Sequence, residues 1–211
     1  MIPLLLSVTA IIAYVCGSLR SDYIASNLIF HRDLLRYSRD NTGITRFLKD
    51  FGKLGAIKLL LVEIAKIVLP VLIGGWLLSI EDHADIGRAF ALLCAMLGCI
   101  FPILYRFRGE STLVLLPVGM MIVNGEVGFL GIAALAGVYL LTHYVSLAAI
   151  SSALVMVLVS LMAVDALIVR WLILGCAILV ILEYRHSIPR LIRGTEPKFI
   201  YKKDISYMFD D

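Results

Sequence analysis

Leu59-Leu60-Leu61-Val62-Glu63-Ile64-Ala65-Lys66-Ile67-Val68-Leu69-Pro70-Val71-Leu72-Ile73-Gly74-Gly75-Trp76-Leu77-Leu78-Ser79 is an apolar run interrupted by one carboxylate and one ammonium. A helix of about 20 such residues crosses a bilayer core of about 30 Å, so this run is long enough to span a membrane. Lys53 and Lys58 lead into it, and no Lys or Arg follows until Arg88. Positive charge stays on the cytoplasmic side, which gives the span a direction, inward end at Leu59. Glu63 and Lys66 stand at i and i+3 on one helix face, with Lys66 about 10 Å along the axis from Leu59. Ionisable groups at that depth are costly. They form a structural pair or snorkel, or they line a wet cavity, and the residues alone leave both open.

Outward from this run lie six more apolar segments, 2–19, 89–105, 112–123, 127–141, 147–164 and 166–182. With seven spans and the N-terminus outside, Arg20, Arg32, Arg36, Arg39, Arg46, Lys49, Lys53, Lys58, Arg106, Arg108, Arg185, Arg190, Arg193, Lys198, Lys202 and Lys203 fall on one side. Only Arg88 and Arg170 fall on the other. This asymmetry requires an odd number of spans and a cytoplasmic C-terminus. The segment 112–123 is short and bounded by Gly109-Glu110-Ser111 and Asn124-Gly125-Glu126, which suits a short helix packed inside the bundle. A five-span arrangement lacking this segment and one other is the alternative. Loss of a single segment would invert every later loop and erase the asymmetry.

Composition agrees. A chain with 61% hydrophobic and 17% charged residues and a mean hydropathy of +0.95 is an integral membrane protein, not a soluble domain. The expected fold is an all-α, seven-helix transmembrane bundle. It forms a single polytopic domain over 1–211, with cytoplasmic loops 20–58, 106–111 and 142–146 and a cytoplasmic tail 183–211. The run 2–19 has no basic stretch ahead of it and reads as an uncleaved span. Cys16, Cys94, Cys99 and Cys176 all lie in apolar segments, without ligand spacing, and read as small core residues with no metal or disulfide. No 20- to 50-residue repeat is present.

The cytoplasmic segments hold the chemistry. In the first loop, Asn41-Thr42-Gly43 favours a tight turn with exposed N–H groups, flanked by Arg39 and Arg46. Such a turn holds an anion, or the loop simply faces anionic lipid. In the second, Gly109 permits close backbone approach, and Ser111 or Thr112 is a natural cap for the following helix, whose start favours negative charge. Glu110 opposes a bound phosphate unless Arg106 or Arg108 neutralises it. In the tail, Arg185, Arg190 and Arg193 are topology anchors or anion ligands, and His186 is a pH-sensitive ligand or an incidental interfacial residue.

In chain order stand Asn41-Thr42-Gly43-Ile44-Thr45, Glu63-x-x-Lys66 before Val68-Leu69-Pro70, Gly98-Cys99-Ile100-Phe101-Pro102, Phe107-Arg108-Gly109, Thr142-His143-Tyr144-Val145-Ser146-Leu147-Ala148, and Ile188-Pro189-Arg190-Leu191-Ile192-Arg193-Gly194-Thr195-Glu196. This series resembles the bacterial acyl-phosphate:glycerol-3-phosphate acyltransferases, the PlsY family, along essentially the whole chain. The family's Phe-x-Gly-Gly-Lys-Gly is here Phe107-Arg108-Gly109-Glu110-Ser111-Thr112, and its histidine ahead of that stretch is Cys99. A lysine and two glycines are replaced by hydroxyls and a carboxylate, which removes a charge-assisted phosphate contact. Arg39, Arg46 and Arg108 are able to compensate.

The resemblance implies transfer of a fatty acyl group from acyl phosphate to the 1-hydroxyl of glycerol 3-phosphate, in the plasma membrane of a bacterium, with the site facing the cytoplasm. It implies no cofactor and no metal. The partners it implies are the two phosphorylated substrates and membrane lipid, with no nucleic acid. Its site positions are Asn41, Gly43, Thr45, Lys66, Arg108, Gly109, Arg185, Arg190 and Glu196, with Arg39, Arg46 and Ser111 as substitutes. The tail aligns with the family in two ways, with or without a two-residue gap, and both retain Arg185. Two other readings stand beside the enzyme: a family member that kept the fold and lost catalysis, binding lipid or a protein partner, and a small transporter suggested by Glu63 and Lys66.

Overall fold

The structure, a computed structural model, describes residues 1–24, 44–105, 109 and 111–193, and the side chains of 22, 23, 44–53, 56, 104 and 192 lie outside the described set. Among the described residues all regular structure is helical: α1 (Ile2–Ser18), α2 (Ser21–Ile24), α3 (Ile44–Ser79), α4 (Ala84–Ile100), α5 (Leu115–Val123), α6 (Gly125–Thr142), α7 (Val145–Ala163), α8 (Leu167–Glu183) and α9 (Ile188–Ile192). Each of the seven apolar segments forms a helix. Three stretches, Gly125–Thr142, Val145–Ala163 and Leu167–His186, are long and apolar enough to cross a membrane by themselves, and α1 is a slightly shorter apolar helix. Their outward side chains are large and apolar, Ile11, Leu140, Leu158, Met162 and Ile178 among them. Trp76 near the end of α3 and Trp171 near the start of α8 are also exposed, and indole rings favour a membrane interface.

Several boundaries differ from the sequence reading, each for a local reason. The first loop, expected over 20–58, is helical from Ile44 onward, because Pro70 is the sole proline within α3 and nothing before Leu59 interrupts the helix. With 36 residues, α3 rises about 54 Å, well beyond a hydrocarbon core of about 30 Å. The segment expected over 89–105 is helical over Ala84–Ile100 instead. Phe101 precedes Pro102, whose ring disfavours helical geometry at its neighbour, and Phe101 leaves the helix at φ −121, ψ 61. The loop expected over 142–146 contracts to His143 and Tyr144, with His143 in the left-handed region at φ 58.

Helix α5 decides the number of traverses. Only nine residues long, it rises about 14 Å, and Leu115, Leu116, Pro117, Gly119, Met120 and Val123 are all buried. It is the short internal helix that its flanking residues suggested. Yet its two ends reach opposite faces of the bundle. Just before it, Thr112 bonds to Glu183 at the end of α8. Just after it, Asn124 Nδ2 donates to the Ala163 carbonyl at the end of α7, 3.2 Å away. Asn124 also caps α6, its Oδ1 accepting from the Glu126 and Val127 N–H groups at 3.1 Å each. The seven helices therefore pass alternately between two faces, as an odd span count requires. The two arginines that broke the charge asymmetry are held locally: Arg88 pairs with Asp85 at 3.2 Å, and Arg170 Nε donates to the Val164 carbonyl at 2.6 Å.

Helices α1, α3 and α4 pack through missing side chains, the usual device where hydrocarbon gives no hydrophobic push between helices. A Cβ on Gly17 would lie 2.0 Å from the Ala95 carbonyl oxygen, and one on Gly98 would lie 2.2 Å from that of Tyr14. The pair lets α1 and α4 meet backbone to backbone, and Tyr14 Oη then donates to the Phe101 carbonyl at 2.6 Å. Replacing Gly17 by Ala is expected to destabilise the purified protein by about 1 to 3 kcal/mol through overpacking. Gly137→Ala, where no atom beyond its chain neighbours and its own helix backbone lies within 4 Å of the added methyl, serves as control and is expected to leave thermal unfolding in detergent unchanged or raise it.

Candidate functional site

The face on which α1, α4, α6 and α8 end carries the polar groups. Where α1 ends, Leu19 turns to extended geometry (φ −68, ψ 126), so Arg20 and Ser21 fold back against the bundle and are buried at 6% and 0% exposure. The Arg20 guanidinium stands 5.9 Å from the centre of the Tyr105 ring, a cation–π arrangement. Beneath them, Lys66 on α3 is 8% exposed. Its Nζ donates to Ser21 Oγ at 3.4 Å and approaches Cys99 Sγ at 3.7 Å. Glu63, one turn away, is buried too. Lys66 thus joins the end of α1 to the end of α4 at the rim of the bundle.

Gly109 lies over the same place. A Cβ there would fall 2.3 Å from the Ile100 carbonyl oxygen and 3.0 Å from that of Cys99, so only glycine allows the returning chain to rest on the end of α4. Two residues on, the chain is tied to α8. The Thr112 N–H donates to both Glu183 carboxylate oxygens, at 3.1 and 3.3 Å, and the Thr112 hydroxyl donates to the same carboxylate. The hydroxyls of Ser111 and Tyr184 pair at 2.9 Å, and Ser111 Oγ accepts from the Leu113 N–H at 3.3 Å. Consecutive residues 111–112 thereby bind consecutive residues 183–184.

Arg185 and Arg190 follow beyond the end of α8, both exposed. Arg185 Nε donates to His186 Nε2 at 3.1 Å, and Arg190 Nη2 donates to Ser187 Oγ at 3.4 Å. His186 is therefore an acceptor for its neighbour. Among the described residues no group of three His, Cys, Asp or Glu side chains is arranged to hold a metal ion.

Of the residues singled out from the sequence, the structure gathers Lys66 and Gly109 around Cys99, and joins Ser111 to the start of the Arg185 segment through Tyr184. Arg190 lies on α9, beyond the end of α8. Thr45 and Arg46 fall in the first turn of α3, with side chains outside the described set, and Asn41, Gly43, Arg39, Arg108 and Glu196 lie outside the described residues. The sequence reading passed over Arg20, Ser21, Glu183 and Tyr184, and it treated Cys99 as core. Cys99 is indeed 1% exposed, but it also faces the lysine. Arg20 and Glu183 each stand in sequence as a charge at the end of a span, a feature common to interfacial residues with no role at a site.

A family model described as glycerol-3-phosphate acyltransferase matches residues 7–194. A glycerol-3-phosphate acyltransferase of Thermoanaerobacter sp. (strain X514) is 30% identical over 197 residues, covering 93% of this chain and 97% of its own length. One from Macrococcus caseolyticus (strain JCSC5402) is 30% identical over 196 residues, covering 92% and 96%. The crystal structure of PlsY, an integral membrane glycerol 3-phosphate acyltransferase, in its glycerol 3-phosphate form is similar in fold, with a TM-score of 0.76 at 22% identity over 97% of this chain and 99% of that one.

The tie between 111–112 and 183–184 makes a clear demand on one side chain. Thr112→Val removes the hydroxyl donor to the Glu183 carboxylate and is expected to lower stability by about 1.5 to 3 kcal/mol, the usual worth of a hydrogen bond to a charged group. Thr112→Ser keeps the donor and should retain most of that stability when thermal unfolding of the three proteins is compared.

Proposed function

The chain belongs to the glycerol-3-phosphate acyltransferase family, and from that premise we propose that it moves a fatty acyl group from acyl phosphate to the 1-hydroxyl of glycerol 3-phosphate. The attacking hydroxyl oxygen forms the new ester bond, the carbonyl carbon–phosphate oxygen bond breaks, and the hydroxyl proton leaves with the released inorganic phosphate. The products are lysophosphatidic acid and phosphate. The observation that supports this most directly is the convergence of Lys66, Gly109 and the Arg185 segment on one face of an otherwise apolar bundle.

In this reading catalysis rests on placement and charge rather than on a protein nucleophile. The acyl chain lies among the helices, and its phosphate sits at the polar rim with that of glycerol 3-phosphate. Lys66, Arg185 and Arg190 supply positive charge, together with Arg39, Arg46 and Arg108. Asn41, Gly43, Thr45 and Glu196 complete the pocket. Gly109 gives close approach of the backbone, and Ser111 borders the site through Tyr184. The polar face is taken to be the cytoplasmic one, in the plasma membrane of a bacterium, as the charge asymmetry requires.

One observation favours a second reading, in which the fold persists without catalysis. The stretch that resembles the family's Gly-Gly-Lys-Gly is Gly109-Glu110-Ser111-Thr112, and its two hydroxyls are engaged by Tyr184 and Glu183. Activity separates the two. Purified protein given acyl phosphate and labelled glycerol 3-phosphate is expected to yield labelled lysophosphatidic acid, and yield equal to a protein-free control would establish the second reading instead. Arg185→Ala is expected to reduce kcat/KM by about 10- to 150-fold, the loss of one hydrogen bond to a charged group.

Sidedness has its own measurement. In intact cells a membrane-impermeant thiol reagent is expected to label Asp82→Cys and to spare Ser187→Cys until the cells are permeabilised. The reverse pattern would place the site outside.

A further inference from the structure

The turn ahead of α5 is already occupied by an anion belonging to the chain itself. Glu183 receives the Thr112 N–H on both carboxylate oxygens, at 3.1 and 3.3 Å, together with the Thr112 hydroxyl. A backbone N–H and a hydroxyl converging on an oxyanion is the way phosphate is held at such turns. The adjacent hydroxyl is consumed as well, since Ser111 pairs with Tyr184. Glu183 sits at the end of α8, half-buried and fixed by its helix, so it is an occupant that does not diffuse away. A phosphate entering this turn would have to displace it.

We infer that Glu183 is a built-in substitute for a phosphate at residues 111–112, which closes that turn to substrate. The identity of the substrate phosphate rests on the function proposed above, whereas the closure does not. Glu183 is in this sense a positioning residue. It ties the loop to α8 and fixes where Arg185 leaves the bundle.

Direct binding tests it, with inorganic phosphate and glycerol 3-phosphate titrated calorimetrically into detergent-purified protein. Glu183→Ala vacates the turn and is expected to bind phosphate about tenfold more tightly than the parent. Glu183→Gln keeps an acceptor on the Thr112 N–H and is expected to stay within about twofold of the parent. Glu183→Ser withdraws the side chain from reach of Thr112 while leaving both the N–H and the hydroxyl of Thr112 in place, and should also bind more tightly, which covers the case of an Ala variant that does not fold. Equal or weaker phosphate binding in a folded Ala variant or in the Ser variant overturns the inference. Because binding is read without turnover, a parent protein that makes no lysophosphatidic acid while the Ala variant gains phosphate affinity defeats the proposed activity alone. A parent with turnover and an Ala variant with unchanged affinity defeats this inference alone.

Discussion

Hydrocarbon offers no partner to a peptide group or a charge, so each polar atom inside the bundle must find one within the chain. That constraint accounts for more of this structure than any single contact. It makes the apolar segments helical, and it folds the hydroxyls of spanning helices back onto their own backbones: Thr9 on the Leu5 carbonyl, Ser18 on Tyr14 and Ser160 on Val157. Where a hydroxyl reaches across instead, it joins two helices, as Ser152 of α7 does with the Gly131 carbonyl of α6. Lys66 obeys the same rule. Placed about two turns inside its span, it reaches Ser21 and Cys99 on neighbouring elements rather than lipid.

The same need explains how a helix as short as α5 holds its place. With about 14 Å of rise, it cannot reach two water layers by length. Its ends are satisfied by protein, Thr112 on Glu183 at one face and Asn124 on Ala163 at the other, and its sides are enclosed by apolar neighbours. A short element tied at both ends keeps Ser111 and Thr112 against the end of α8. The polar rim therefore forms over a compact part of the bundle, where Gly109 rests on α4 and Tyr184 meets Ser111.

Much of this was visible in the residue order. Hydropathy located all seven helices, and the distribution of Lys and Arg demanded an odd number of passes, which the two anchors of α5 satisfy. Boundaries were less legible. Residues 44–58 space Ile44, Phe47, Leu48, Phe51 and Leu54 at helical intervals, but their charges and two glycines read as a loop, and Pro102 ended α4 earlier than hydropathy alone suggested. At the site, Lys66 stood out as an ammonium within an apolar run, and Gly109 as a glycine beside a helix start. Glu183 did not stand out, because a carboxylate that closes a span looks in sequence like any interfacial charge.

Two kinds of information separate here. Sequence by itself determined the class, the helices and their alternating passage, since those follow from transfer free energies and charge placement, which act on each segment independently of its neighbours. Tertiary structure decided which polar groups are committed to one another: Arg20 beside Tyr105, Lys66 between Ser21 and Cys99, and Glu183 on the turn ahead of α5. These pairings join residues far apart in the chain, 71 positions in the case of Thr112 and Glu183. Only the packing of α1, α3, α5 and α8 against α4 brings them within hydrogen-bonding distance.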